Sequence, residues 1–183
     1  MLCRRLHDKP DYNKEAFMDT VLEMSNMYPE HRFVMSNLEF IIKSFIKNSN
    51  CVVMREAKYD WEGVSEKFEP DISLLCGLRR RKRLCYTDVP RFIAEVLSDS
   101  TEQDDRNRKK DVYAFVGVEE YWIIDWRVPG GRVERYLLDD TGEHYILHDI
   151  INGEERNDIA LILFPSVKFT MEELMEHVGE DIF

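Results

Sequence analysis

Two carboxylates and a lysine stand in contexts that suit phosphodiester chemistry. Asp71 follows Pro70 at the head of the apolar run Ile72-Ser73-Leu74-Leu75. Glu95 lies inside Phe92-Ile93-Ala94-Glu95-Val96-Leu97, where an ionised acid is costly unless it is paired or bound to a metal. Lys109 follows in Arg106-Asn107-Arg108-Lys109-Lys110. A phosphodiester repels nucleophiles and has a poor leaving alkoxide, and a divalent ion counters both by polarising an oxygen and activating a bound water. Mg²⁺ (or Mn²⁺) takes oxygen ligands and keeps several waters. Asp71, Glu95 and the backbone carbonyl of Val96 are therefore the candidate metal ligands. Lys109 is the candidate group to donate to an attacking water or to stabilise transition-state charge. Each residue also has an ordinary reading. Asp71 suits a turn at a strand start, and Lys109 suits a solvated helix lysine paired with Asp105 one turn earlier.

These residues need elements to position them. Phe33, Val34, Leu38, Ile41, Ile42, Phe45 and Ile46 recur at spacings of three and four, which predicts a helix over 31–48. Strands are expected from Cys51 toward Tyr59, over Pro70–Leu75 and over Phe92–Leu97, with a polar loop at 77–88. Along the third run Glu95 projects opposite to Ala94 and Val96, so it can face a cleft while they face a core. A helix is expected from Ser98–Thr101 to Val116, with Gly117 as its stop. Strands follow at Glu120–Asp125, Arg132–Leu138, Glu143–His148 and Ile159–Phe164, then a helix over Thr170–Val178 capped by Thr170. The order predicts an α/β (α+β) fold: a central mixed sheet flanked by helices, with an antiparallel C-terminal strand extension.

A chain of 183 residues with 44% hydrophobic residues suits one domain, 1–183, with a sizeable core and an N-terminal segment (1–25) of open role. No run is long enough to span a bilayer and the N-terminus turns polar at once, so a cytoplasmic location is expected. Cys3, Cys51, Cys76 and Cys85 lack CxxC spacing, which argues against zinc and for reduced structural thiols. The net charge of −11 is unevenly spread. Residues 79–113 carry 10 lysines and arginines against 7 acids, while 134–183 carry 3 against 13. The acidity is thus concentrated away from the candidate site.

The stretch from Glu69 to Asp125 resembles the Uma-two family of restriction-endonuclease-like proteins, within the PD-(D/E)XK nuclease superfamily. The resemblance rests on Glu69-Pro70-Asp71, on Glu95-Val96-Leu97-Ser98-Asp99-Ser100-Thr101, and on Asp105, Lys109 and Tyr113. It continues in Gly117-Val118-Glu119-Glu120-Tyr121-Trp122-Ile123-Ile124-Asp125 and, upstream, in His31 with Asn37-Leu38. It implies the restriction-endonuclease-like fold, a divalent-metal site at Asp71 and Glu95, and DNA as substrate. The superfamily's usual lysine position falls at Leu97, which cannot serve, so the resemblance assigns that role to Lys109. Lys110 lies about 100° further round a helix and cannot share the site.

The chain departs from the family pattern in places. No Gly-Glu dipeptide precedes the first helix, so Glu15, Glu23 and Glu39 are the candidates for a further N-terminal carboxylate. Glu69 and Asp99 add negative charge near the site. Arg79–Arg83 reads either as a phosphate-backbone contact or as a solvated loop. His31 either assists the site or is structural, and Tyr113, Tyr121, Trp122 and Trp126 read as core and sheet-face aromatics. The expected activity is a Mg²⁺-dependent DNA endonuclease. The alternative is a catalytically inactive nuclease-fold binding or assembly module, and a further option is a nuclease subunit that relies on a partner subunit for target choice. Homodimerisation is expected to use the sheet extension around residues 121–147.

Overall fold

The computed structural model describes residues 28–77, 80–82, 84–155 and 158–179. Helix α1 (Pro29–Phe45) opens on a proline, which has no N–H to leave unpaired, and carries Glu30 in its first turn and Lys43 in its last. It buries Val34, Leu38, Ile41 and Ile42 of the stripe that the sequence periodicity marks, together with His31 and Met35, while Phe45 at its end is half exposed.

The strands β1 (Cys51–Arg55), β2 (Ile72–Cys76) and β5 (Phe92–Val96) pair antiparallel in that order. The loop between β2 and β5 contains a small hairpin, β3 (Arg81–Lys82) with β4 (Cys85–Tyr86), where a bare loop was expected. Strand β6 (Glu120–Asp125) pairs parallel to β5. A parallel pair needs a long crossover. Here it is helical: α2 (Glu102–Asp104), a π-helical turn at Asp105–Lys109, and α3 (Lys110–Val116). Gly117 ends the crossover at φ 90°, a left-handed conformation that suits glycine. Then β7 (Arg132–Leu138) and β8 (Tyr145–Asn152) extend the sheet antiparallel, giving the order β1-β2-β5-β6-β7-β8. This is the expected mixed sheet with an antiparallel extension.

Every residue of β5 and β6 is buried, because both faces of the sheet are covered. On one face Phe92, Ala94, Val96, Trp122 and Ile124 pack with α1. On the other, Ile93, Leu97, Tyr121 and Ile123 pack with Tyr113 of α3 and with Tyr59, Trp61 and Phe68. The period of two therefore places Glu95 on the α3 face, opposite to Ala94 and Val96.

Several expectations are corrected. Cys51 and Cys76 are direct partners in the β1–β2 register and form a disulfide, so they are not two separate reduced thiols; Cys85 is buried and free. The apolar runs around them carry no sign of which positions will face one another. Beyond β9 (Asp158–Ala160) the expected strand to Phe164 stops early. The amides of Ile162 and Leu163 donate instead to the buried carboxylate of Glu120, at 2.9 and 2.8 Å. β9 pairs with β10 (Lys168–Thr170), and the last helix, α4 (Met171–Leu174), is shorter than expected. The side-chain amide of Asn37 takes the carbonyls of Leu174 and Glu176, which satisfies that helix end. Thr170 caps α4 as expected, in a reciprocal box with Glu173. Within residues 121–147, β6 lies in the sheet interior, so the exposed apolar side chains are those of β8, Ile146 and Leu147 among them. No described helix is long and apolar enough to cross a membrane.

Candidate active site

Asp71 precedes β2, and the antiparallel β2–β5 register brings it to the end of β5 where Glu95 and Val96 lie. The Val96 amide donates to Asp71 Oδ2 at 2.8 Å, and the Asp71 amide donates to Glu95 Oε2 at 3.2 Å. Glu95 thus holds the backbone of Asp71, and Asp71 holds the amide that follows Glu95, which fixes the two carboxylates side by side. The first turn of α1 reaches the same end of the sheet: His31 Nε2 lies 3.3 Å from Asp71 Oδ2.

The crossover supplies the cation. Lys109 Nζ lies 3.2 Å from Glu95 Oε1 and 2.7 Å from Asp105 Oδ1, and both acids are 1% exposed. These two residues bound the π-helical turn, a widened turn of the kind that often marks functional sites. Lys110 points elsewhere, with its ammonium 3.8 Å from the centre of the Tyr136 ring. On the far side Tyr113 donates its hydroxyl to Glu95 Oε1 at 2.6 Å. Tyr113 is thus a core aromatic and a holder of Glu95 at once. Asp105, His31 and Tyr113 complete the cluster. The sequence signals for them were the Asp105–Lys109 spacing of four and the one-turn steps from Lys109 to Tyr113.

Burial is the largest influence on Glu95 and pushes its carboxyl up. The charge of Asp71 raises it further, Lys109 opposes, and the result is about 8. Asp105 is also raised, by burial first, with Lys109 opposing. Burial alone would lower Lys109, but Glu95 and Asp105 outweigh it and hold the ammonium charged. His31 follows the same logic. Burial lowers it, while the Asp71 carboxylate and the Val96 backbone raise it by more.

The surrounding charges are neutralised locally. Glu69 pairs with Lys58 at 3.1 Å and Asp99 with Arg127 at 2.7 Å, so neither acid faces the site alone. Glu39 pairs with Arg55 at 3.1 Å and does not join the cluster; Glu15 and Glu23 lie outside the described residues. From the first helix it is His31 that reaches Asp71. Among the described residues no three His, Cys, Asp or Glu side chains gather as a ready metal cage. The donor set still fits a hard ion that needs few protein ligands. Asp71 and Glu95 place two carboxylates in mutual repulsion, which a cation between them would relieve. Asp71 is also 18% exposed, which leaves a way in.

Comparison with known proteins gives the same direction. A protein of Synechocystis sp., "Uncharacterized protein slr1290", is 24% identical over 136 residues, covering 73% of this chain and 70% of that protein. The crystal structure of "a putative nuclease belonging to DUF820" from Anabaena variabilis superposes with a TM-score of 0.63 at 17% identity, covering 81% of each chain. At that identity the likeness carries the fold alone. The model of the Uma2 family, described as "Putative restriction endonuclease", matches residues 2–172, nearly the whole chain, and on that match the protein belongs to the Uma2 family.

Proposed function

We propose that this chain is a Mg²⁺- or Mn²⁺-dependent endonuclease that hydrolyses phosphodiester bonds in DNA. The observation that carries the reading is the convergence of Asp71 and Glu95, with Lys109 bound to Glu95, at one end of the sheet. Asp71, Glu95 and the Val96 carbonyl would hold the ion, which when bound supplies an activated water and polarises a phosphoryl oxygen. The remaining chemistry belongs to the chain. His31 and the Val96 amide fix Asp71 Oδ2. Tyr113 fixes Glu95 Oε1. Asp105 holds Lys109 charged and pointed at the carboxylates, where its ammonium can donate to the attacking oxygen or to the phosphoryl charge that develops.

The test is plasmid nicking by purified protein with Mg²⁺ or Mn²⁺, beside Glu95→Ala. Metal-dependent nicking that the substitution abolishes is expected. No nicking by the wild type, or equal nicking by both, overturns the reading. The lack of a three-residue cage among the described residues favours one second reading, a nuclease-fold binding module without activity. Calorimetric titration with Mn²⁺ separates the two, because a module of that kind shows no binding that depends on Asp71 and Glu95. Any homodimer that uses the sheet extension has the β8 edge available, and light scattering measures it. A requirement for a partner subunit in target choice would appear as cleavage that depends on a copurifying protein.

A further inference from the structure

The arginines of the crossover, and Arg127 just after β6, are spent on structure. Arg106 forks between Glu102 and Glu134, Arg108 binds Asp104 and Glu66, and Arg127 joins Asp125, Asp99 and Glu102. Arginines tied this way hold α2 and the π turn against the sheet. They are poorly placed to grip a polyanion, so the charge that draws one must come from elsewhere.

The β3–β4 hairpin has what the crossover lacks. Residues 79–83 read Arg-Arg-Arg-Lys-Arg without an acid, in a chain of net charge −11. Lys82 is exposed, and the Arg80 side chain is 75% exposed in a surface pair with Asp88, of the kind that exchanges readily for phosphate. At the tip Leu84 is 90% exposed, more than any other large hydrophobic residue among those described. The hairpin is held at its base. Tyr86 donates its amide to the Lys58 carbonyl at 2.8 Å and accepts from the Asp60 amide at 2.9 Å, and the Thr87 amide donates to the Arg80 carbonyl at 3.1 Å.

A series of rings joins that base to the carboxylates. Tyr86 packs on Tyr59 (5.9 Å between centroids), Tyr59 on Trp61 (5.0 Å) and Trp61 on Tyr113 (6.0 Å). Tyr113 then bonds Glu95. The base of the hairpin and the Tyr113 ring that holds Glu95 therefore pack in one cluster on the same face of the sheet. We infer that the β3–β4 hairpin is a duplex-docking element: Arg80 and Lys82 bind phosphates flanking the scissile position, and Leu84 enters the groove between them. The inference rests on the reading of DNA as substrate. Phosphate contacts of this kind give affinity and salt dependence, and an apolar tip inserted at a base step gives grip without sequence reading.

The test uses fluorescence anisotropy of a labelled DNA duplex of about two helical turns, titrated with full-length protein without divalent metal at several salt concentrations. Arg80→Ala with Lys82→Ala is expected to weaken binding at least about tenfold and to flatten the log-affinity against log-salt slope by about 2. Leu84→Ser, a change at an exposed tip that leaves the fold intact, is expected to weaken binding about three- to tenfold with the slope unchanged. Wild-type affinity and slope in both variants, or no duplex binding by the wild type, overturns the inference. Plasmid nicking with Mn²⁺, run alongside, separates the two readings. Nicking with unaltered hairpin variants sinks the docking element alone, whereas hairpin-dependent binding without nicking sinks the nuclease.

Discussion

Lys109→Met removes the cation that two buried carboxylates share, and the structure sets the size of the effect. Burial and the charge of Asp71 push the Glu95 carboxyl up, which weakens its share in balancing Lys109, and Asp105, at 2.7 Å from the ammonium, is the nearer counter-charge. Without Lys109, Asp105 has two courses. It stays ionised and unpaired at 1% exposure, which costs about 3–5 kcal/mol. Otherwise it takes a proton, which at pH 7 costs about 4 kcal/mol for a carboxyl that titrates near 4 when unfolded. The two routes agree, and either is a large part of a total stability of about 5–15 kcal/mol.

The pH dependence separates this account from a simple packing loss. An acid whose folded pKa is raised keeps its contribution below the unfolded pKa and loses it as pH rises. In wild type Glu95 already gives such a loss up to about pH 8. The variant adds a second proton held only in the folded state, so its penalty should grow by about 1.4 kcal/mol per pH unit, from about 2 at pH 5.5 to about 5 at pH 7.5. Urea unfolding of both proteins at pH 5.5, 6.5 and 7.5 measures it. A penalty below about 1 kcal/mol that stays flat with pH would mean that Lys109 does not carry the buried charge, and the reasoning fails.

Three other outcomes are expected. Mn²⁺ affinity should rise up to about tenfold per pH unit between pH 6 and 8, because Glu95 must lose its proton to bind metal; calorimetry in buffers of different ionisation heat reads the released proton. Reduction of the Cys51–Cys76 disulfide, which closes a sequence separation of 25, should lower stability by about 3 kcal/mol, seen as a lower urea midpoint with reductant, and an unchanged midpoint would place no constraint there. Thr170→Ala removes one half of the α4 capping box and should cost about 1 kcal/mol in thermal or urea unfolding, while leaving metal binding unaltered.

Much of the fold was legible because it depends on local patterns. The three- and four-residue spacing of Val34, Leu38, Ile41 and Ile42 predicts α1, and continuous apolar runs predict β5 and β6, whose residues are all buried. Gly117 marks the end of the crossover for a local reason, its left-handed φ. Errors came where a distant partner competes for the backbone. Ile162 and Leu163 continue an apolar run, but the Glu120 carboxylate takes their amides and the strand stops at Ala160. Cys51 and Cys76 looked like independent hydrophobes until the register made them neighbours.

The sequence by itself singled out Asp71, Glu95 and Lys109 as candidate site residues, in runs whose periodicity turns Glu95 away from Ala94 and Val96. Tertiary structure decided what surrounds them. The β2–β5 register set Asp71 against the Val96 amide, α1 delivered His31 to the same carboxylate, and the π turn joined Lys109 to Asp105 as well as to Glu95. Hydrophobic periodicity is a property of neighbouring residues and is written along the chain. The electrostatic state of a buried carboxylate is a sum over groups far apart in sequence, and only the folded chain brings them within a few ångströms of one another.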